Sequence, residues 1–223
     1  MTPPPPIDVS VVAERLDVVR DRVAAAGGDP EHITIVAVTK GFGVDAVVAA
    51  RRAGLDDIGE NYAQELAAKA DALAGAGPGP RWHFVGRLQR NKVRVLAPLV
   101  TLWQTVDRRP LVEEVARRAP GAAVLVQVNI SREPQKGGCP PDEAPALVHD
   151  CRDAGLDVRG LMTVGPAGRP EEADVGFRTL ADLADRLALP VRSMGMTDDL
   201  EVAVRAGSTM LRIGRALFGP RPA

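Results

Sequence analysis

The sequence predicts an α/β fold, a single (β/α)8 barrel of the TIM type that is preceded by one extra helix. Short apolar, β-branched segments alternate with amphipathic helical segments along almost the whole chain. A helix between successive strands is the crossover that parallel neighbours in a sheet require. Eight strand-like segments in 223 residues fit a barrel near the lower end of the usual length.

The predicted elements follow one another with little chain left over. The extra helix covers residues 10–26, because Val12, Leu16, Val19 and Val23 recur at helical spacing before a Gly-Gly pair. The strands are predicted over 33–40, 56–61, 82–86, 102–106, 124–130, 158–164, 191–196 and 209–214. The helices between them are predicted over 44–53, 62–74, 89–96, 110–118, 142–154, 171–187 and 198–206, and a short helix follows the last strand.

No segment divides the chain into two domains. Residues 1–9, which begin Met-Thr-Pro-Pro-Pro-Pro, are predicted to form a flexible Pro-rich tail, and residues 10–223 a single barrel domain. The alternative is an open doubly wound sheet. A Gly-rich fingerprint after the first strand would favour that sheet and dinucleotide binding, and the sequence has none there.

The composition argues against several classes of partner. A net charge of −1 gives no electrostatic basis for binding nucleic acid or an anionic membrane surface. No stretch approaches the roughly 20 apolar residues of a membrane span, and the first residues do not resemble a signal peptide. The two cysteines, Cys139 and Cys151, suggest neither a metal site nor a disulfide framework. We therefore expect a cytoplasmic protein without a metal.

Lys40 is the first candidate for chemistry. It ends an apolar, β-branched segment, and the chain has only four lysines beside 24 arginines. Arginine stays protonated, whereas a desolvated lysine amine can form a Schiff base with a carbonyl group. The alternative is that Lys40 merely ends a strand and extends into solvent.

Polar residues collect where the predicted strands end, as at Asn61, and the third strand contains His83. In a barrel of this type, the loops at the carboxyl ends of the strands form the site. After the seventh strand, Thr197, Asp198 and Asp199 have a second explanation. They precede a helix in which Glu201 could close a capping box.

The last two strand ends suggest a phosphate cradle. Ser193 and Gly195 precede one helix, and Gly214 and Arg215 precede a short final one, so backbone N–H groups could approach an anion there. Loops after the seventh and eighth strands often bind phosphate in barrels. An amine beside such a cradle suits pyridoxal phosphate or a phosphorylated sugar of a Schiff-base aldolase.

Arg212 favours the first of these ligands. It lies inside an apolar strand, where an arginine is costly unless a planar partner receives it. An arginine that faces a pyridine nitrogen keeps that nitrogen unprotonated and restrains carbanion chemistry. A salt bridge between Arg212 and Glu60 is the alternative.

The chain resembles the pyridoxal phosphate homeostasis proteins, which share the barrel of the alanine racemase N-terminal domain. The matches include Val-Ala-Val-Thr-Lys at 36–40, Gly-Glu-Asn-Tyr at 59–62 and Trp-His-Phe-Val-Gly at 82–86. Further matches lie at 128–130, 160–162, 193–196, 206–210 and 212–214. The chain departs from the family pattern at Thr197, where Ser is usual, in the loop at 136–139, and in the segment after Lys40.

The resemblance implies that Lys40 holds pyridoxal 5′-phosphate as an internal aldimine and that Arg212 faces the pyridine nitrogen. It implies that the other cofactor-binding residues are Asn61, His83 and Met162 around the ring, Ser193, Gly195, Gly214 and Arg215 at the phosphate, and also Ser208 and Thr209. Apo-enzymes that need the cofactor are the implied partners, and we expect a monomer.

The sequence assigns no catalytic residue. A two-base racemase needs an acid or base opposite the lysine, supplied in alanine racemases by a tyrosine of another domain, and this chain has one tyrosine, Tyr62. His83 could act as a base or could only position other groups. We therefore expect a protein that carries or buffers the cofactor in vitamin B6 and amino-acid homeostasis. A racemase-like enzyme and a partner-binding barrel with a vestigial site remain alternatives.

Overall fold

The computed structural model describes residues 7–133, 135–166 and 168–221, and it confirms the predicted (β/α)8 barrel. All eight strands are parallel neighbours, and β1 closes the barrel by pairing with both β2 and β8. The strands are β1 (Thr34–Val38), β2 (Asp57–Glu60), β3 (Arg81–Phe84), β4 (Val100–Val106), β5 (Ala123–Gln127), β6 (Asp157–Met162), β7 (Val191–Ser193) and β8 (Met210–Ile213). The alternative of an open sheet is therefore wrong.

Helices surround the strands in the predicted order. They are α1 (Val9–Ala25), α2 (Val44–Arg52), α3 (Ala63–Ala72), α4 (Val93–Leu96), α5 (Arg109–Arg118), α6 (Ala144–Asp153), α7 (Asp174–Arg186), α8 (Leu200–Arg205) and α9 (Arg215–Phe218). Short 3-10 turns, Arg90–Lys92 and Pro170–Ala173, lead into α4 and α7. The extra helix α1 packs where the barrel closes, since Arg15 donates to the carbonyl of Leu217 at 3.1 Å.

The amino-terminal boundary differs from the prediction. Residues 1–6 of the predicted tail lie outside the described residues. The helix α1 begins at Val9, because the Asp8 carboxylate accepts a hydrogen bond from the Ser10 N–H as its N-cap. The Ile7 N–H donates to Asp45 at 2.9 Å, so residues 7–9 belong to the barrel's outer layer rather than to the predicted tail.

The seventh strand is shorter than predicted. It ends at Ser193 instead of continuing to residue 196, because Gly195 adopts a φ of +96° and leaves the extended conformation. A Cβ at Gly195 would lie 2.5 Å from the Cβ of Ala203, so a glycine is also needed for α8 to approach the strand. The loop that follows is thereby turned toward the carboxyl end of the barrel.

The apolar residues form two cores. The larger core fills the layer between the strands and the helices and contains Trp103 and Phe177, both fully buried. A smaller cluster occupies the barrel interior, where alternate strand residues point inward. Its buried members are Val36, Leu102, Leu125, Met162 and Met210. The interior is therefore packed below the carboxyl-terminal rim.

Three properties of the described residues concern membrane spans, metal sites and reactive thiols. None of the described helices is both long and apolar enough to cross a membrane. Among the same residues, no group of three or more His, Cys, Asp or Glu side chains could hold a metal ion. Cys139 and Cys151 are unpaired, and burial raises the pKa of each thiol to about 12.

Candidate functional site

A cavity of about 650 Å³ opens at the carboxyl ends of the strands. This volume lies in the range of small-molecule and cofactor sites. Six of the predicted site residues line it, namely Lys40, Asn61, Met162, Arg212, Gly214 and Arg215. The structure thus brings the segments that follow β1 and β8 to one site with residues of β6 and the end of β2.

Lys40 follows β1 and points into the cavity, where its side chain is about half-buried. Burial lowers the pKa of its amine, and the positive charges of Arg221 and Arg212 lower it further. More of the amine is therefore unprotonated near neutral pH than for a lysine in water. This is the property that a carbonyl-attacking amine needs.

The helix α3 fixes the backbone on both sides of Lys40. Lys69 donates a hydrogen bond from Nζ to the Thr39 carbonyl at 2.8 Å, and the Gly41 N–H donates to Glu65 at 2.8 Å. The Thr39 hydroxyl donates to Glu60 Oε1 at 2.6 Å. These contacts hold the strand end from which the Lys40 side chain leaves.

Glu60 is paired with Lys69 and not with Arg212. Both side chains of this ion pair are buried, and burial raises the pKa of the Glu60 carboxyl. The alternative of an Arg212–Glu60 salt bridge is therefore wrong, because Glu60 points into the layer between β2 and α3 while Arg212 points into the barrel. Glu60 Oε2 is buried and has no hydrogen-bond partner among the described residues.

Arg212 is a buried cation, only 4% exposed, in the wall of the cavity. It donates to the Ser193 hydroxyl at 2.7 Å and to the Thr163 carbonyl at 2.6 Å. Within the described part of the chain no carboxylate forms an ion pair with it, and desolvation lowers its pKa to about 10. It therefore stays protonated at neutral pH and retains N–H groups for an acceptor in the cavity.

Asn61 presents a second unused polar group. Its Oδ1 atom is buried in the cavity region and has no hydrogen-bond partner in the part of the chain that is described. A buried amide oxygen without a partner is costly. Together with Arg212, it indicates a cavity that is built for a polar ligand.

Two predicted cofactor contacts lie below the cavity instead of in its wall. Ser193 and His83 are buried in the barrel interior, where Ser193 donates to Gln104 at 2.7 Å and His83 bonds to Asp57 at 3.0 Å. Their polar atoms are already used by protein partners. Gln104 was missed, although a single amide within the apolar segment of β4 was a signal in the sequence.

Ser208 and Thr209 lie at the wrong end of the barrel for the site. They precede β8, so they are at the amino-terminal rim, opposite Lys40. The Ser208 hydroxyl donates to the Met194 carbonyl at 2.7 Å, and the Thr209 hydroxyl accepts from the Arg192 N–H at 2.9 Å. These two assignments are corrected to supports of the β7–β8 connection. Gly195 is not among the residues that line the cavity.

The loops after β7 and β8 line the cavity, and one acidic group lies among them. Arg215 forms an ion pair with Asp198, and both residues line the cavity. Thr197 also lines it and accepts the Ala216 N–H at 3.1 Å, which ties the two loops together. The guanidinium that was expected at the phosphate is therefore already paired with a carboxylate.

The predicted capping box is absent from α8. Asp199 occupies the N-cap position, but its carboxylate accepts from the Met196 N–H at 2.5 Å, within the preceding loop. Glu201 pairs with Arg22 of α1, which also donates to the Thr197 carbonyl at 2.9 Å. Asp199 and Arg22 therefore fix the loop that lines the cavity, and neither Asp199 nor Glu201 caps the helix.

Arg221 is a further cavity residue that the sequence did not reveal. The segment after α9 returns across the mouth, and the Arg221 side chain lies beside Gly41. Arg221 follows the short last helix, and the sequence does not show that the chain turns back toward β1 after that helix. The cavity thus contains three arginines, Arg212, Arg215 and Arg221, around one lysine.

A family model and curated relatives match almost the whole chain. The model of the alanine racemase N-terminal domain family matches residues 7–222. A protein of Pseudomonas aeruginosa named pyridoxal phosphate homeostasis protein is 38% identical over an alignment of 222 residues, and the alignment covers 96% of this chain and 94% of that protein.

Solved structures show the same relationship. PipY of Synechococcus elongatus, solved with PLP bound, superposes with a TM-score of 0.82 at 30% identity, covering 93% of this chain and all of that one. The alanine racemase of Bacillus anthracis superposes with a TM-score of 0.72 at 16% identity, which shows a shared fold alone. This chain covers 57% of that racemase.

Proposed function

The chain belongs to the family of the pyridoxal phosphate homeostasis proteins, built on the alanine racemase N-terminal barrel, and we propose that it binds pyridoxal 5′-phosphate through Lys40 and carries or buffers it. The observation that supports this proposal most strongly is that Lys40 and Arg212, a buried cation with no direct ion pair among the described residues, share one cavity. The PLP-bound PipY structure is similar over the same length.

The residues of the cavity suit the groups of this cofactor. The Lys40 amine, with its lowered pKa, would bond the aldehyde carbon, and Arg212 would donate to the ring nitrogen. The loops after β7 and β8, with Gly214 and Arg215, would receive the phosphate. When bound, the cofactor supplies a carbonyl that bonds amines and a ring that withdraws electrons.

The protein groups around the cavity favour binding of the cofactor over catalysis of an amino-acid reaction. Arg212 stays cationic and would keep the ring nitrogen unprotonated, which weakens electron withdrawal. Tyr62 is exposed and is not in the cavity wall, and His83 is bonded through both ring nitrogens inside the barrel. A second acid or base opposite Lys40 is therefore not supplied by either residue that the sequence offered.

Reduction and mass mapping test the covalent bond. The protein is incubated with pyridoxal phosphate, treated with borohydride and digested, and the expected result is a pyridoxyl group on Lys40. Lys40→Ala should abolish both the adduct and the visible absorbance. Lys92→Ala is the matched control, because Lys92 lies outside the cavity. An adduct on any other lysine would overturn the assignment.

Solvent deuterium exchange separates carrying from catalysis. Amino acids are incubated with the loaded protein in D2O, and we expect no α-deuterium uptake beyond that produced by free cofactor. Uptake well above that background would support the racemase-like alternative. A protein that stays colourless after incubation with pyridoxal phosphate would support a vestigial site.

A monomeric state and a cytoplasmic location are part of the proposal. The two unpaired cysteines suit a reducing compartment.

Delivery of the cofactor to apo-enzymes is also part of the proposal. In its test, the loaded protein is mixed with an apo-enzyme in the presence of a phosphatase that destroys free cofactor. Activation that survives the phosphatase supports direct transfer, whereas its loss indicates release into solution. Sedimentation equilibrium gives the mass in solution.

A further inference from the structure

A continuous chain of buried hydrogen bonds runs through the barrel from the cavity toward the opposite rim. Arg212 donates to Ser193 at 2.7 Å, and Ser193 donates to Gln104 Oε1 at 2.7 Å. Gln104 Nε2 bonds to His83 Nδ1 at 2.8 Å, and His83 Nε2 bonds to Asp57 at 3.0 Å. Arg212, Ser193, Gln104 and His83 are all buried, so water does not compete for these contacts.

The two ends of this chain fix the direction of every bond in it. Arg212 can only donate hydrogen bonds, and an ionised Asp57 can only accept them. Burial would raise the pKa of Asp57, but hydrogen bonds from Arg81 and His83 outweigh that effect and hold the pKa well below its usual range. Arg81 binds both Asp57 oxygens, at 2.8 Å and 2.6 Å. Asp57 therefore remains the accepting end.

Gln104 is held in the same orientation by an independent contact. Its Nε2 atom lies 3.2 Å from the sulfur of Met210, a weak acceptor, as well as beside His83. A reversed amide would place Oε1 against that sulfur, so that two acceptors faced each other. Gln104 therefore donates to Nδ1 of His83, which must carry no proton there.

We infer that Gln104, Ser193 and His83 are positioning residues for Arg212, and that they hold His83 as the neutral tautomer protonated on Nε2. The inference rests on the proposed function only where it concerns the cofactor. Each link turns its electronegative end toward the guanidinium, so the aligned dipoles add to the electrostatic attraction of Asp199 and stabilise a buried cation that has no direct ion pair among the described residues. Arg212 is thereby kept cationic and aimed at the cavity.

An imidazolium at His83 would break this arrangement. A proton on Nδ1 would face the Gln104 amide N–H groups, and Gln104 would have to reverse. Ser193 would then accept from both Gln104 and Arg212, and its hydroxyl proton would lose its acceptor. The orientation of Arg212 and the tautomer of His83 are therefore coupled over the length of the barrel.

The tautomer can be measured without any cofactor. Nitrogen-15 NMR of the histidine rings distinguishes the two neutral tautomers and the imidazolium, and the chain has three histidines. His32 and His149 are exposed and serve as internal references. We expect the His83 ring to carry one proton, on Nε2, because Nε2 donates to Asp57 and Nδ1 accepts from Gln104. A proton on Nδ1 would overturn the inference.

Gln104→Glu is the sharpest variant for this measurement. The glutamate has nearly the same shape but offers only acceptor oxygens to His83. We therefore expect a proton to appear on Nδ1 of His83. Gln127→Glu is the matched control, because Gln127 is a buried amide at the end of β5 that donates to the Gly137 carbonyl outside the chain. An unchanged tautomer in Gln104→Glu would overturn the inference.

Cofactor binding gives a second measurement. Its affinity and absorbance would not change if Gln104 and Ser193 only stabilised the fold. Ser193→Ala and Gln104→Met should each weaken pyridoxal phosphate binding roughly tenfold, the size expected for one hydrogen bond to a charged group. Both should shift the absorbance maximum of the bound cofactor, and Gln127→Met should do neither. Circular dichroism checks that the variants are folded, and wild-type spectra and affinities in both folded variants would overturn the inference.

The two measurements separate failure of the inference from failure of the proposed function. If the wild-type protein does not bind pyridoxal phosphate, the proposed function is wrong, while the NMR result still decides whether the chain has the stated direction. If the cofactor binds but the tautomer differs, the inference alone is wrong.

Discussion

The ammonium of Lys69 donates to the carbonyl oxygen of Thr39 at 2.8 Å, one residue before Lys40. Two of the four lysines in the chain therefore act on the same strand end. Lys69 is fully engaged by Thr39 and Glu60, whereas Lys40 extends into the cavity. The first holds the backbone, and the second leaves its amine in the cavity.

Replacing Lys69 by methionine should lower the free energy of unfolding by about 3–5 kcal/mol, because the Glu60 carboxylate then stays buried without its cation. Urea unfolding measures this change. The double variant Lys69→Met, Glu60→Leu removes both charges and should recover most of the stability. A single variant as stable as the wild type would contradict the assigned ion pair.

Replacing Arg221 by glutamine should raise the pKa of Lys40 toward its ordinary value. Burial is the main cause of the lowered pKa and remains in the variant, but the repulsion from Arg221 is removed. At a fixed neutral pH, less of the amine is then unprotonated, so it should react more slowly.

The rate of bond formation with pyridoxal, which has no phosphate, measures this shift without the phosphate contacts. The rate should rise with pH in both proteins, and the midpoint of the rise should lie higher in Arg221→Gln. Arg205→Gln, on α8 away from the cavity, is the control. A midpoint at lower pH in Arg221→Gln would show that Arg221 does not lower the pKa of Lys40.

Replacing Asp198 by asparagine should tighten the binding of pyridoxal phosphate. The carboxylate lines the cavity and is paired with Arg215, so its removal frees that guanidinium for an anion and removes a like charge. We expect a gain of a few-fold to about tenfold, limited by the solvent exposure of the pair.

Inorganic phosphate as a competitor and pyridoxal as a ligand separate the causes of that gain. Phosphate should also bind more tightly to Asp198→Asn, whereas pyridoxal should be unaffected. Equal gains for pyridoxal and its phosphate would mean that Asp198 does not act at the phosphate end.

Replacing Gly195 by alanine should lower the free energy of unfolding by about 2–3 kcal/mol. The substitution places a Cβ at a φ of +96°, 2.5 Å from Ala203. Gly54→Ala is the matched control, because Gly54 has a φ of +91° and nothing within 4 Å of the new Cβ. It should cost about 1 kcal/mol, from the backbone conformation alone. If thermal or urea unfolding showed the same loss of stability in both variants, Ala203 would be able to move away from the new Cβ without an energetic cost.

The order of the barrel elements could be predicted because strand and helix periods alternate in the sequence. Lys40 could be identified as a cavity residue because lysine is scarce and this one ends a strand. The sequence did not predict how deep each inward-facing side chain lies in the barrel. Strand parity places His83 and Ser193 on the inward face, but it does not say whether they reach the cavity or lie beneath it. Their partners, Gln104 and Asp57, come from other strands.

Two further misses have different physical causes. Ser208 and Thr209 belong to a segment that resembles the family but precede β8, and a strand carries only its carboxyl end to the site. Arg221 reaches the cavity because the chain turns back after α9, a long-range contact that local patterns do not encode. Asp198 beside Arg215 was visible in the sequence as a capping residue and not as a counter-ion.

The helix α1 makes the cavity depend on both ends of the chain. Arg22 bonds to the Thr197 carbonyl across 175 residues, and Arg15 bonds to the Leu217 carbonyl across 202. A break in the chain before β8 would leave Lys40 on one fragment and Arg212, Gly214 and Arg215 on the other, so the cavity would form only when the two fragments reassociate.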